Sequence, residues 1–297
     1  MFLLSWSVTL PVESAHQASD NPREGWAVLM EMNYYESGSH LDTSYSDTRK
    51  WNSTLLALGW QTHHIFIHQG AITQETGEIA LQFLAMNADA NDVVLFFIFA
   101  HGNYLLNDVQ WQTWFPNQWK NLESQEKLFI VAACTAEIIL QPLYYDSASH
   151  IHLASTQAEE YAWAGLPEEG LPIIGEVFNH FFTNALLNAS ADSDTDGEVS
   201  VEEAFWFAAP LSRSYISSIV FPAFPDYAGL CNNTAPHPVI DDNYPGNFSL
   251  QIELGAPPIT PQGGFPPGLG ILVSAAIVGA VILTIGLLIV RNRGIDH

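Results

Sequence analysis

A histidine and a cysteine each stand directly after a long apolar run. Eight apolar residues, Val93–Ala100, lead into His101 and Gly102. Six apolar residues, Leu128–Ala133, lead into Cys134. Runs of this length with polar flanks are typical of strands that are covered on both faces of a parallel sheet. Ligands bind beyond the carboxyl ends of such strands, so His101 and Cys134 are expected to share one site.

A thiol beside an imidazole is a usable nucleophile, because the imidazole helps to form the thiolate and carries its proton. Gly102 leaves room for a substrate carbonyl, and its N–H together with that of Cys134 can hold a developing oxyanion. The alternative is structural, since cysteine is among the most buried residue types and a His-Gly pair often only ends a strand. We predict His101, Gly102 and Cys134 as catalytic residues and keep the buried cysteine as the alternative.

Several short segments, in this order and spacing, resemble the caspase-like cysteine peptidases, and among them the legumain and glycolipid-transamidase branch. The resemblance covers about residues 24–225, and no single motif in it is decisive. Its segments are Trp26–Leu29 with Asn33–Tyr35, Asp47 twelve residues before Gly59, Phe99–Gly102, Val131–Thr135, and Ala154–Ala158 with Glu160–Ala162.

The resemblance implies a three-layer caspase-like α/β sandwich with a mainly parallel sheet, and alternating strand and helix patterns favour the same fold class. It also implies a substrate pocket formed by Asp47, Ser155, Thr156 and Tyr161. Two departures leave the residue preference of that pocket open. Legumain has an acidic residue or serine and then glycine after the nucleophile, where this chain has Thr135–Glu137. Legumain also has Arg-His where this chain has Thr43 and Ser44. The many acidic residues of this chain could therefore instead select a basic side chain of the substrate.

The acidic stretch Asp192–Glu203 has the residue order of an EF-hand calcium loop, with glycine at the sixth position. The predicted ligands are Asp192, Asp194, Asp196, the carbonyl of Glu198, Ser200 and Glu203. A solvated acidic loop is the alternative, but acids packed this closely repel one another without a cation. A related loop followed by Glu-Ala-Phe occurs in microbial legumain-like proteins. We therefore predict Ca²⁺ and no organic cofactor.

The two ends of the chain differ in composition from residues 24–254, which are the predicted peptidase domain. Residues 1–23 predict a truncated signal peptide or a disordered start, and the proline and glycine of 255–268 predict a stalk. Residues 269–290 carry no charge and precede Arg291 and Arg293, which predicts a transmembrane helix. The tail 291–297 is then cytoplasmic and the domain outside, although a sorting tail that is cut off is the alternative.

The net charge of −24 disfavours nucleic acid as a partner. Together the features predict a membrane-anchored, extracytoplasmic cysteine endopeptidase of legumain type that acts on a peptide or protein through a thioester. Transamidation is the alternative within the family, because an amine can resolve the same thioester. A catalytically inactive, calcium-binding interaction protein is the alternative outside it. Of the chain's two cysteines, Cys231 is left free if Cys134 is the nucleophile.

Overall fold

Six strands form the central sheet. The computed structural model describes residues 21–32, 42–144 and 147–253. The strands are β1 Gly25–Glu31, β2 Ile65–Gln69, β3 Val93–Phe99, β4 Glu126–Ala132, β5 Ile151–Ala154 and, after a separate ribbon of β6 Ala164–Gly165 and β7 Gly175–Glu176, β8 Val239–Asp242. Their order is β2-β1-β3-β4-β5-β8, and only β5 and β8 pair antiparallel within this sheet.

Helices cover both faces of the sheet. They are α1 Ser46–Ala57, α2 Gln74–Asn87, α3 Gly102–Asn107, α4 Trp111–Lys120, α5 Ala136–Leu140, α6 Val177–Ala185, α7 Val201–Tyr215, α8 Phe221–Ala223 and α9 Pro225–Leu230. Short 3₁₀ turns lie at Thr62–His64, Gln141–Leu143 and Pro167–Glu169, and a π-helical turn at Ile216–Val220 joins α7 to α8.

Strand β3 shows why its apolar run has no alternation. Val94, Phe96 and Ile98 pack with α2, α3, α4 and α5 on one face, whereas Leu95 and Phe97 pack with α1, α6 and α7 on the other. Successive side chains of a strand point to opposite faces, so a strand covered on both sides needs an apolar residue at every position. The predicted three-layer α/β sandwich with a mainly parallel sheet is confirmed.

Three local features depart from the simplest pattern in the sequence. Ile65 and Ile67 on one face predict a strand over 62–67, but the strand begins only at Ile65, because the preceding turn buries His64 against the ring of Trp26, with ring centroids 3.6 Å apart. The apolar residues of 173–187 predict one helix, but it begins at Val177, because β7 first pairs with β6. Strand β8 has no clear signature in the sequence, since only half of its residues, Val239 and Ile240, are apolar.

Within the described residues no helix is both long and apolar enough to cross a membrane. The predicted transmembrane helix at 269–290 lies outside the described residues, as do the stalk at 255–268, the tail at 291–297, residues 1–20 of the predicted leader, and Asn33–Tyr35. These assignments stay predictions from the sequence.

Candidate active site

The pairing of β3 with β4 brings His101 and Cys134 to one edge of the sheet. Phe99 and Ala132 are register partners, and the N–H of Ala100 donates to the carbonyl of Ala132 at 3.4 Å. His101 and Cys134 each follow their paired residue by two positions. The structure therefore places the two predicted residues at corresponding points beyond the carboxyl ends of adjacent strands.

Gly102 is packed against the backbone of Cys134. A Cβ atom at position 102 would overlap the carbonyl oxygen of Cys134 and approach the hydroxyl of Thr135 to 2.9 Å. Only glycine fits such a close approach of two backbones. Because residue 102 has no side chain, the start of α3 can lie directly against the turn that carries Cys134. His101 is the N-cap residue of this helix.

Hydroxyl groups from the end of β5 fix both sides of the cysteine turn. The Ser155 hydroxyl accepts from the N–H of Ala133 at 3.1 Å. The Thr156 hydroxyl donates to the carbonyl of Ala133 and accepts from the N–H of Ala136, each at 3.0 Å. Both residues are buried, so the structure places them behind the predicted pocket, as braces of the Cys134 turn, and not on its surface.

Thr135, directly after the cysteine, has a left-handed backbone with φ of 52°. For a β-branched residue this conformation costs on the order of 1–3 kcal/mol and is kept only where surrounding contacts impose it. Here the Thr135 N–H donates to the carbonyl of Glu160 at 2.8 Å. The Glu160 carboxylate in turn accepts from both the backbone N–H and the ring Nδ1 of His237, each at 2.6 Å.

The loop after β5 also contacts the thiol itself. The backbone N–H of Ala162 donates a hydrogen bond to the Cys134 sulfur. The neighbouring Tyr161 is exposed, so it is the member of the predicted pocket that the structure leaves open to a ligand. A peptide N–H that meets the thiol in this way stabilises the thiolate relative to the thiol.

The two candidate catalytic groups are neutral at rest. Burial raises the pKa of the Cys134 thiol, and the charges of Cys231 and Glu176 add to this against the opposing hydrogen bond from Ala162. Burial also lowers the pKa of the His101 imidazole. Burial disfavours the charged form of each group, so both shifts favour the neutral thiol and the neutral imidazole.

A buried carboxyl pair lies behind the site. Asp47, in the first turn of α1, accepts from the N–H of Glu176 at 3.0 Å and from the Asn179 side chain at 2.6 Å. Burial, with the charge of Glu31 second, raises the pKa of Asp47 to about 7. Burial raises that of Glu176 to about 8, with the charge of Asp47 contributing. Asp47 is fully buried, so the structure places it within this network and not on a pocket surface.

A family model, described as the caspase domain, matches residues 24–205. The chain belongs to the caspase-domain family. Its fold is similar to the crystal structure of caspase-1 from Spodoptera frugiperda, with a TM-score of 0.53 and 14% identity, covering 79% of this chain and 92% of that chain. No curated protein matches the chain. The predicted caspase-like fold is confirmed and the domain is of the cysteine-peptidase type, whereas the legumain branch stays a prediction.

The acidic loop of this caspase-domain protein lies between α6 and α7, remote in sequence from His101 and Cys134. One carboxylate oxygen from each of Asp192, Asp194 and Asp196 lies within 4.8 Å of the others. Gly197 has φ of 98°, and its N–H donates to Asp192 at 3.1 Å. This turn makes the three aspartates converge, so the donor set fits a hard cation such as Ca²⁺.

The other predicted ligands have hydrogen-bond partners in the protein. Glu203 accepts from the N–H of Ser193 at 2.7 Å and forms a capping box with Ser200 at the start of α7. Although partial burial opposes it, the hydrogen bonds from Ser200 and Ser193 lower the pKa of Glu203 to about 2. The Glu198 side chain accepts from the Ser249 hydroxyl at 2.6 Å, which leaves its carbonyl as the atom predicted to bind.

Sequence reasoning missed Glu176, Ala162 as a donor to the thiol, and the role of Glu160. Each acts through a contact between segments far apart in the chain, such as that of Glu160 with His237. Alternating polarity and motif spacing carry no information on such contacts. The Glu160–Ala162 stretch was singled out by the resemblance, but only as a pocket wall.

The first prediction concerns the close approach at Gly102. Gly102→Ala should lower the free energy of unfolding by about 1–3 kcal/mol and abolish any turnover, because the added methyl group displaces the Cys134 carbonyl. Gly229→Ala is the matched control, since a Cβ there meets nothing within 4 Å. Denaturant unfolding measures both variants. Equal free energies of unfolding for Gly102→Ala and Gly229→Ala would show that the backbone at position 102 can move to admit a side chain, which would contradict the prediction.

The second prediction concerns the buried carboxyl pair. The folded-state pKa values of Asp47 and Glu176 lie above the ordinary values of 3.8 and 4.5, so between about pH 4 and 8 the native state binds more protons than the unfolded state. Stability contributed by the protonated pair is therefore lost as pH rises through this window. The melting temperature of the wild type should fall between about pH 5 and 8 from this contribution.

Glu176→Gln should reduce that fall, because an amide oxygen can still accept the Asn179 N–H at the start of α6 but does not titrate. Glu168→Gln, at an exposed position, is the matched control. Melting curves across this pH range are the measurement. Parallel pH profiles for wild type and Glu176→Gln would contradict the assignment.

Proposed function

We propose that this chain is a cysteine endopeptidase of legumain type in which Cys134 is the nucleophile and His101 the general acid and base. The observation that carries the proposal is the packing of Gly102 against the Cys134 carbonyl, which joins the two strand ends at one point. Caspase-like peptidases act on protein or peptide substrates. The substrate is accordingly a peptide bond presented at the edge of the sheet formed by β3 and β4.

The reaction follows from the residues at that edge. The Cys134 sulfur attacks the peptide carbonyl carbon as the thiol proton passes to His101, and the carbonyl π electrons move onto oxygen. The N–H groups of Gly102 and Cys134 hold that oxyanion. Collapse expels the amine, which takes its proton from His101 and leaves a thioester on Cys134. Water, deprotonated by His101, then releases the acid and the free thiol.

Transamidation uses the same thioester with an amine in place of water. The sequence resemblance to glycolipid transamidase keeps it as the second candidate. The two reactions differ in product mass, because an amine acceptor stays attached to the new carboxyl end whereas hydrolysis adds only water.

The proposal includes the cellular position of the enzyme. The uncharged stretch 269–290 and the two arginines behind it support a single membrane anchor with the domain outside the cytoplasm. Calcium at Asp192–Glu203 would then serve to hold the end of the domain together. Asn247 donates to Asp194 at 2.8 Å, and Ser249 contacts the same loop through Glu198.

The third prediction tests the nucleophile. Cys134→Ala and His101→Ala should each reduce peptide turnover by at least about a thousandfold without a change in fold, because each removes a member of the unit that forms the thioester. His63→Ala is the matched histidine control, since it is exposed and precedes β2 at the opposite edge of the sheet. Mass spectrometry of peptide-library products, with and without an added amine, measures turnover and separates hydrolysis from transamidation. Wild-type turnover by Cys134→Ala would refute the mechanism.

The fourth prediction tests the calcium loop. A ligand in hundredfold excess over its dissociation constant stabilises the folded state by about 2.7 kcal/mol, which raises the melting temperature of a domain of this size by about 5–10 °C. Glu203→Gln should lose most of this rise, because glutamine keeps the capping box but not the charge. Glu168→Gln should keep it.

Melting curves with added calcium and with chelator are the measurement. A wild-type melting temperature that does not respond to either would show that Asp192–Glu203 is an acidic turn. A response to magnesium as large as that to calcium would contradict a calcium-specific site, because Mg²⁺ requires six ligands at shorter distances.

A further inference from the structure

Both cysteines of the chain lie beside the same loop. Each is a free, half-buried thiol. The turn that carries Cys134 is hydrogen-bonded to the loop after β5 through Thr135 and Glu160. Cys231, which directly follows α9, lines a cavity of about 210 Å³ together with Glu159, Glu160 and Tyr161 of that loop.

One stretch of backbone, Glu160–Ala162, lies beside both cysteines. The N–H of Thr135, the residue after Cys134, donates to the carbonyl of Glu160 at 2.8 Å, and the N–H of Ala162 is directed at the Cys134 sulfur. The carbonyl of Tyr161 accepts from the Tyr227 hydroxyl at 2.8 Å, and that hydroxyl also contacts the Cys231 thiol. Cys231 is placed there by the end of α9, where its N–H donates to the Tyr227 carbonyl at 3.0 Å. Both cysteines therefore lie against the same stretch of backbone, Glu160–Ala162.

The charges of this cluster are coupled. Burial is the first cause of the raised pKa of Cys134, and the charge of Cys231 adds to it. Burial also raises the pKa of Tyr227, whose neighbours include both Cys231 and Cys134.

We propose that Cys231 is a resolving thiol that captures Cys134 after oxidation by peroxide and closes a reversible disulfide across the active-site loop. The Cys134 thiolate takes one oxygen from hydrogen peroxide, becomes a sulfenic acid and releases hydroxide. The Cys231 thiolate then attacks the sulfenic sulfur, forms the S–S bond and expels hydroxide. In total the two thiols lose two hydrogens, and one peroxide becomes two waters.

The disulfide has two consequences for the proposed peptidase, on which this inference rests. It removes the nucleophile, so turnover stops until a dithiol reduces the bond. It also keeps Cys134 from the sulfinic and sulfonic acids, which are not reversed by thiols. The Tyr161–Ala162 peptide is bonded toward both thiols, so closure must release its hydrogen bonds to Cys134 and Tyr227.

The experiment follows the mass of the full-length chain, kept in detergent throughout, after a brief treatment with hydrogen peroxide and alkylation of the remaining thiols. The wild type should lose about 2 Da, take up no alkylating agent and yield a cross-linked peptide that contains both Cys134 and Cys231. A dithiol should restore alkylation at both residues. Because the thiolate is the reacting form and burial raises the pKa of both thiols, the rate of closure should rise with pH.

Cys231→Ser is the matched variant. The same treatment should add about 32–48 Da at its Cys134, and the dithiol should not reverse this. If the wild type instead gains oxygen at Cys134 as Cys231→Ser does, or if its disulfide joins two chains, the proposal is wrong.

The mass readout needs no peptidase activity. A chain that forms the disulfide but cleaves no peptide would leave this inference standing and overturn only the proposed function. Where turnover is present, each variant is compared with its own untreated activity. The wild type should recover with dithiol, and Cys231→Ser should not.

Discussion

The candidate active site depends on one contact between two backbones. The start of α3, at Gly102, lies against the carbonyl of Cys134, and no side chain larger than hydrogen fits there. Parallel pairing of β3 with β4 sets the relative height of His101 and Cys134, and this contact sets their lateral separation. Sheet register alone would leave two strand ends free to diverge. The missing Cβ allows the backbone at Gly102 to lie directly against the turn that carries Cys134.

The turn that carries Cys134 is held in a costly conformation by its surroundings. Thr135 has a left-handed backbone, and the bonds that impose it come from Thr156 and Glu160 beyond β5. Glu160 is itself hydrogen-bonded to His237, so the last part of the domain is linked to the Cys134 turn through two hydrogen-bonded contacts. The position of Cys134 is therefore set by three separate stretches of chain. A loss of order in any one of these stretches would change the position of the Cys134 thiol.

The sequence allowed the layers of the fold to be predicted, because burial on both faces makes every residue of β3, and the Leu128–Ala132 part of β4, apolar. The same two runs located His101 and Cys134, since each residue stands where its strand ends. The residues of the predicted substrate pocket stay predictions. Ser155 and Thr156 were assigned to its surface by the resemblance, but their hydroxyls turn inward because the backbone around Ala133 has donors and acceptors to satisfy. A hydroxyl that binds a substrate and one that braces a turn look alike in a sequence.

The sequence did not indicate Glu176 or Ala162, because both act on Cys134 through contacts between distant segments of the chain. Their effects on the pKa of the thiol are electrostatic. Glu176 lies behind the site with Asp47, and its charge adds to the burial that keeps Cys134 protonated. Hydrogen bonds from the N–H of Ala162 and from the backbone of Cys134 itself act in the opposite direction. The surroundings therefore favour the neutral thiol, and these two backbone groups moderate that effect. Because the carbonyl of the peptide that bears the Ala162 N–H accepts from Tyr227, a neighbour of Cys231, a movement of this loop would change the surroundings of both thiols together.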